Sequence, residues 1–152
     1  MPHTEIRPCS PRYWEFVRLL RNNPSVQAGF IEPANISAEQ QRAFMKKNSK
    51  WYVIAVQDGE PMGYLGLIGP SRTEISYCVE PRHQGLGVGS ALVQYAYDNI
   101  EGAWAKIFTT NMASIKAIGR IFPCSRSVGE FLVFAKSETD LQRGVSEMEK
   151  AQ

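Results

Sequence analysis

Between Thr73 and Asn111 the sequence reads as strand, glycine-rich loop, helix and strand, and no other stretch narrows the possible folds as much. "TEISYCV" alternates, with Ile75, Tyr77 and Val79 on one side and Glu74, Ser76 and Cys78 on the other, the period of a strand. After "EPRHQGLGVGS", Val88, Ala91, Leu92, Tyr95 and Ala96 fall at i, i+3, i+4, i+7 and i+8, the apolar stripe of a helix lying on a sheet. "AKIFTTN" then supplies a second strand. Strands joined through such a crossover are parallel, because a short turn cannot return the chain in the same direction. The fold must therefore contain a sheet with a parallel pair and a helix packed on it.

The flanking segments extend this sheet. "WYVIAVQDGEPMGYLGLIG" is two β-rich runs around the turn dipeptide Asp58-Gly59, the second opened by Pro61, and predicts a hairpin. "TEIRPCS" at the start is a short strand, and "GEFLVFAK" near the end is the last one. An antiparallel meander followed by one strand-helix-strand unit implies a mixed α/β sheet with helices on its faces. Four further helices are expected. Ser10 with Pro11 behind it opens one that carries Tyr13, Phe16, Val17 and Leu20 inward and stops at "RNNP". After a polar, irregular stretch, Ser37 and Gln40 form a capping box for a helix over 37–47. Asn111 caps a third, with Ile115, Ile118 and Phe122 on its apolar side and Pro123 stopping it. Ser137 caps the last, over 137–150, with Leu141, Val145 and Met148 inward.

With 43% hydrophobic and 21% charged residues and a formal charge of +2, the composition is that of one globular domain over 1–152, without repeats or a linker. No basic block points to nucleic acid. Cys9, Cys78 and Cys124 are an odd number with no C-x-x-C pair, so neither a disulfide framework nor a metal site is expected. No apolar run approaches the roughly 20 residues that span a bilayer, and the charged N-terminus is unlike a signal peptide. A cytoplasmic protein with no membrane partner is the expectation.

Glycines ahead of a helix let an anion approach unpaired backbone N–H groups at the positive end of the macrodipole. A Walker loop needs Gly-Lys-Ser/Thr, and Gly89-Ser90 has no lysine between. A dinucleotide fingerprint needs its first glycine directly after the strand, whereas Gly85 stands six positions beyond Val79 and Ser90 takes the third glycine's place. What remains is Gln84-x-x-Gly87-x-Gly89, preceded by Val79-x-Pro81.

This spacing resembles the Gln/Arg-x-x-Gly-x-Gly/Ala pyrophosphate loop of the GNAT superfamily of acyl-CoA-dependent N-acetyltransferases. "WYVIAVQDGEPMGYLGLIG" resembles that family's hairpin, and "NMASIKAI" its Asn-x-x-Ser segment, so the resemblance extends from about Trp51 to Phe134. It implies a mostly antiparallel sheet of six to seven strands, with helices on both faces and a central parallel pair splayed to admit a pantetheine arm. Acetyl-CoA is the implied co-substrate. By position, Gln84, Gly85, Leu86, Gly87, Val88, Gly89 and Ser90 would surround the pyrophosphate, with backbone N–H groups from Gly85 to Ser90 holding it. The backbone of Val79 would pair with pantetheine and polarise the thioester carbonyl, and Asn111 and Ser114 would touch the far side of the cofactor. Upstream, "LLRNNPSVQAGFIEPANISAEQQRAFM" is similar to the opening of nucleotide-sugar N-acetyltransferases of the pseudaminic acid type. That similarity implies that the first two helices shape an acceptor pocket around an amino sugar, although members with this layout also modify protein N-termini.

Acetyl transfer to an amine needs a neutral nucleophile, a donor for the oxyanion and a proton source for the thiolate. Positioning alone supplies much of the rate. Glu74 is the expected base; the competing reading makes it a solvated edge carboxylate or a partner of Arg72 or Arg82. Glu80 stands beside the phosphates instead. The acid of many family members is a tyrosine seven residues after the helix-opening asparagine, and here that position is Ile118; Phe122-Pro123 stands where the family has Gly-Phe. Tyr77, Tyr64 and Cys124 are the substitutes, each with a core-packing reading beside it. His83 reads as a solvent-exposed loop histidine, Cys78 and Cys124 as small buried hydrophobes or reactive thiols, and Trp14, Trp51 and Trp104 as core or lid. The expected reaction is direct attack of a small-molecule primary amine in a ternary complex, by a monomer or a homodimer. The rivals are a CoA-binding regulator and a nicotinamide-binding module.

Overall fold

The computed structural model describes residues 3–27 and 35–151. Its strands are β1 (Glu5–Pro8), β2 (Tyr52–Gln57), β3 (Glu60–Ile68), β4 (Glu74–Val79), β5 (Trp104–Phe108), β6 (Cys124–Val128) and β7 (Phe131–Ala135), in one sheet ordered β1-β2-β3-β4-β5-β7-β6. β4 and β5 are parallel, with Glu74 opposite Trp104, and the sheet is otherwise mostly antiparallel. The helices around it are α1 (Trp14–Asn22), α2 (Pro24–Gln27), α3 (Ala38–Asn48), α4 (Val88–Asn99), α5 (Met112–Gly119) and α6 (Glu138–Lys150). This is the mixed α/β architecture expected from the sequence. Two compact units divide the chain: one runs to Gly66 and adds Tyr77–Leu92, the other takes Leu67–Ser76 and the residues from Val93 onward.

The first unit is built on the hairpin. Asp58 and Gly59 both have positive φ, +50° and +77°, the two-residue turn whose twist matches that of paired strands. Ala55 pairs with Gly63 and Val56 with Pro61, so Met62 is a bulge that absorbs the proline near the turn. Tyr13, Val17, Leu20, Met45, Tyr52, Ile54 and Tyr64 form the core, and Trp14 and Trp51 pack against it. Helix α3 opens with the expected capping box: Gln40 N–H donates to Ser37 Oγ at 3.1 Å and Ser37 N–H to Gln40 Oε1 at 2.9 Å. Ser10 differs from expectation. Its hydroxyl makes no cap bond; its carbonyl accepts from Tyr13 N–H at 2.9 Å, closing a 3₁₀ turn over Pro11–Tyr13 before α1 begins at Trp14. Between α1 and α3, the Asn22 amide pairs in both directions with the backbone of Ile36, at 2.7 and 2.8 Å. Residues 28–34, on which part of the irregular stretch and of the nucleotide-sugar similarity falls, lie outside the described residues.

The second unit packs α6 against β5, β6 and β7. Trp104, Phe131, Val133, Leu141, Val145 and Met148 form its core. Ser137 Oγ accepts from Asp140 N–H at 3.1 Å, the expected cap. At Gly144 a β-carbon would stand 2.7 Å from the Trp104 ring, so the helix approaches the indole as closely as only glycine permits. Strand β6 had no signal in the sequence. "CSRSV" is apolar only at its ends and half exposed, because it is the outermost strand of the sheet; the turn at Gly129, φ +59°, folds it onto β7. Helix α5 ends at Gly119, short of Pro123, and Phe122 is buried in the following turn.

Candidate active site

The loop after β4 is assembled within the first unit. Glu80 N–H donates to Met62 O at 2.8 Å, a 3₁₀ turn over Pro81–His83 follows, and the chain leaves it extended at Gln84. Gly85 and Gly87 then take φ of +85° and +82°, where a β-carbon would meet nothing within 4 Å. These glycines answer a backbone demand, not a steric one. Ala91 N–H donates to the Gly87 carbonyl at 3.0 Å and so opens α4, anchored by Val88, which is buried. Among the described residues, no backbone N–H from 85 to 90 donates to a turn, loop or cap carbonyl. Six consecutive donors at a helix N-terminus, with residues 84–87 exposed, form a site whose chemistry suits a phosphate group. Gly89 faces inward, its β-position 3.5 Å from both Tyr77 Cε2 and Val79 Cγ2.

His83 is not the solvent-exposed residue expected. Its side chain is only 16% exposed and its Nε2 lies 3.0 Å from Glu80 Oε2, a close contact without hydrogen-bond geometry. The sequence hid this because a one-turn 3₁₀ segment, too short to show a period, brings residues 80 and 83 onto one side.

The proposed catalytic side chains are distributed as follows. Tyr77, half-buried, lies against the first turn of α4 in the same unit as the loop. Tyr64 is buried beside Tyr52, and burial drives its phenol far above the ordinary range, which leaves it a poorer proton donor. Burial pushes the Cys78 thiol up to about 12, against a smaller opposing pull from Arg21, and the Cys9 thiol up to about 11. Neither supplies thiolate at neutral pH, so they are packing groups.

In the second unit Glu74 is 9% exposed, which overturns its reading as a solvated edge carboxylate. The place a β-carbon would take on Gly69 is 3.7 Å from Glu74 Oε1 and 3.9 Å from Glu147 Oε2. Glu147 was not foreseen, since α6 shows that position on its polar side; its Oε1 accepts from Ser71 Oγ while Oε2 is buried without a partner. Asn111 caps α5, its Oδ1 accepting from Ser114 N–H at 3.3 Å. Ile118, in the tyrosine's place, is wholly buried. Cys124 is half-buried, with Sγ 3.8 Å from the Lys136 carbonyl. Among the described residues, no cluster of three or more His, Cys, Asp and Glu is placed to hold a metal ion, and no helix is long and apolar enough to cross a membrane.

Residues 14–121, more than half of the chain, match the acetyltransferase (GNAT) family. The chain belongs to that family. No curated protein matches the sequence. Among solved structures it is similar to a domain from Methanocaldococcus jannaschii, at 19% identity and a TM-score of 0.69 over 88% of this chain and 97% of that one. It is also similar to YncA from Salmonella typhimurium, solved with its cofactor acetyl-CoA, at 18% identity and a TM-score of 0.68 over 89% and 95% of the two chains. Spermidine N-acetyltransferase from Vibrio cholerae, in complex with CoA and spermine, matches at 14% identity and a TM-score of 0.64 over 91% and 98%. At such identities the likeness establishes a shared fold.

Proposed function

We propose that this GNAT acetyltransferase uses acetyl-CoA to acetylate the primary amine of a small molecule, by direct attack in a ternary complex. The observation that carries the reading is the row of six N–H groups from 85 to 90 at the start of α4 that engage no carbonyl among the described residues, in a member of an acetyl-CoA-dependent family. They are the residues to hold the pyrophosphate, with Val79 meeting the pantetheine arm and Asn111 and Ser114 the far side of the cofactor. When bound, acetyl-CoA supplies an activated acetyl thioester. The chain's own part is to bind it, to polarise its carbonyl through the Val79 backbone and to deprotonate the amine, for which Glu74 is the proposed base. Tyr77 is the proposed proton donor to the departing thiolate, supported by its position against α4; Cys124 is the alternative. An amino-sugar nucleotide is the finer acceptor reading, resting on the N-terminal similarity, and a protein N-terminus is its alternative.

The test is release of free thiol from acetyl-CoA with a panel containing UDP-linked amino sugars, spermidine and a short peptide. Turnover with one of the first two supports the proposal; acetylation of the peptide alone overturns the small-molecule acceptor. A second reading, a CoA-binding regulator, is favoured by one observation: Ile118 is buried where a tyrosine would donate a proton. It predicts acetyl-CoA binding without turnover across the panel.

A further inference from the structure

We propose that Glu80 is a positioning residue for the pyrophosphate loop, acting through His83; the inference rests on the cofactor reading above. Residues 84–87 are exposed, and a side chain at Gly85 or Gly87 would touch nothing within 4 Å, so packing does not set the path of the loop. Its path is set at the two ends. One end is α4, anchored by buried Val88. The other is the turn over Pro81–His83, and Glu80 is the hub of that turn. Its N–H donates to Met62 O at 2.8 Å, which ties the turn to β3, and its carbonyl accepts from His83 N–H at 2.8 Å. Its carboxylate accepts from Arg82 Nε at 2.9 and 3.1 Å and lies 3.0 Å from His83 Nε2.

Burial separates the two partners: the His83 and Glu80 side chains are 16% and 19% exposed, whereas Arg82 is 73% exposed and also faces Glu60 at 3.8 Å. Solvent screens the Arg82 contacts, so the His83 contact is the one able to fix the turn. Nor does the cluster serve to attract an anion. A carboxylate beside a phosphate site opposes binding, and here two of them, Glu80 and Glu60, face Arg82. What the cluster contributes is geometry: it holds the exit at Gln84, and with it the direction of the N–H groups that follow.

The experiment compares two ligands. Acetyl-CoA carries the pyrophosphate, and S-acetylpantetheine carries the same thioester and amide arm without it. Glu80→Ala is expected to raise the Kd for acetyl-CoA about tenfold, measured by calorimetry, and to leave that for S-acetylpantetheine, measured by ligand-observed NMR, within about twofold. His83→Ala is expected to match it, and the double variant to be no weaker than either single one, since both remove one contact. Should Glu80→Ala fail to fold, Glu80→Gln, which keeps the volume and one acceptor, decides on the same comparison with about a threefold rise expected. Unchanged acetyl-CoA affinity, equal weakening of both ligands, or additive effects in the double variant would each overturn the proposal. Gly87→Glu separates the layers. If it abolishes acetyl-CoA binding while the Glu80 variants are silent, only the positioning role fails; if it binds as the unaltered protein does, the cofactor reading fails first.

Discussion

Replacing Gly87 by alanine perturbs the backbone of the loop and nothing else. The residue has φ +82° and open space around the β-position, so the added methyl clashes with no neighbour. A residue with a β-carbon costs about 1–2 kcal/mol in this left-handed region. An exposed loop can escape that cost by turning to negative φ, but doing so rotates the N–H groups of Gly87 and Val88 away from their present directions. The cost then reappears when the ligand forces the loop back. The Kd for acetyl-CoA should rise about 5- to 30-fold, at about 1.4 kcal/mol per tenfold, with global stability lowered by no more than about 1 kcal/mol. Gly59 provides the matched control, since its φ is +77° and its surroundings are equally open, but it sits in the hairpin turn. Gly59→Ala should lower stability by about 1 kcal/mol and leave acetyl-CoA affinity alone. Calorimetric titration and urea unfolding read both quantities. Wild-type affinity in Gly87→Ala, or equal weakening in Gly59→Ala, would falsify the assignment of these donors to the cofactor.

Glu74→Gln should slow amine acetylation at least tenfold near neutral pH with acetyl-CoA affinity unchanged, if the carboxylate takes the amine proton; an unaltered pH-rate profile would reduce it to a structural group. Iodoacetamide at pH 8 should label Cys124 in the folded protein, and Cys9 and Cys78 only on unfolding, as read by intact mass. Because burial raises those two thiols to about 11 and 12, the folded state keeps protons that the unfolded state releases above about 9, so stability falls as pH climbs through that window; a flat urea midpoint from pH 8.5 to 10.5 would contradict the burial. Gly144→Ala should destabilise by about 1 kcal/mol in thermal unfolding: alanine gains about 1 kcal/mol of helix propensity, but its methyl would meet three atoms of buried Trp104 at 2.7–2.9 Å, and overpacking costs about 1–3 kcal/mol. Ile118→Tyr should lose about 1–3 kcal/mol of stability without raising kcat, because the site is closed on all sides; a several-fold faster enzyme would show that this position reaches the reacting atoms.

The parts of the fold legible in the sequence are those whose signal is a local period or a local bond. Asp58-Gly59 announced its turn because few residue pairs tolerate two positive φ angles in succession, and the capping box at Ser37 and Gln40 formed as read because it closes within four residues. Strand β6 was missed for the opposite reason. It is held by its pairing with β7, as Ser125 opposite Phe134 and Arg126 opposite Val133, and an exposed outer strand has no face on which apolar residues must repeat. Ser10 failed as a cap because proline at the first position suits a tight 3₁₀ turn as well as an α-helix, and the choice lies with the packing of Tyr13 in the core. Burial along β4 likewise departs from alternation: Glu74, Ile75 and Cys78 are all enclosed, since neighbours cover both sides of an inner strand.

The site divides along a similar line. Recognition of a phosphate by main-chain N–H groups depends on where glycines permit the backbone to turn, so a loop proposed for that task can be read from spacing alone. Proton transfer depends on which side chain meets which, and no spacing encodes that. Glu74 illustrates the difference: its position on the strand was readable, but not its burial, nor that Glu147 of α6 would stand near the same Gly69 β-position. Ile118 illustrates it from the other side. With that position filled by packing, and with Cys78 and Tyr64 kept protonated by burial, the groups proposed to assist an amine are Glu74, Tyr77 and Cys124, together with the rate that comes from holding donor and acceptor in place. On the proposed reading, a chain of this kind depends on the geometry of the loop over 84–90 more than one with a dedicated tyrosine acid, because a misplaced thioester has no strong acid to compensate for it. Substitutions that only redirect the loop, Gly87→Ala first among them, should therefore lower kcat as well as affinity, and a loss confined to KM would argue that an acid is at work after all.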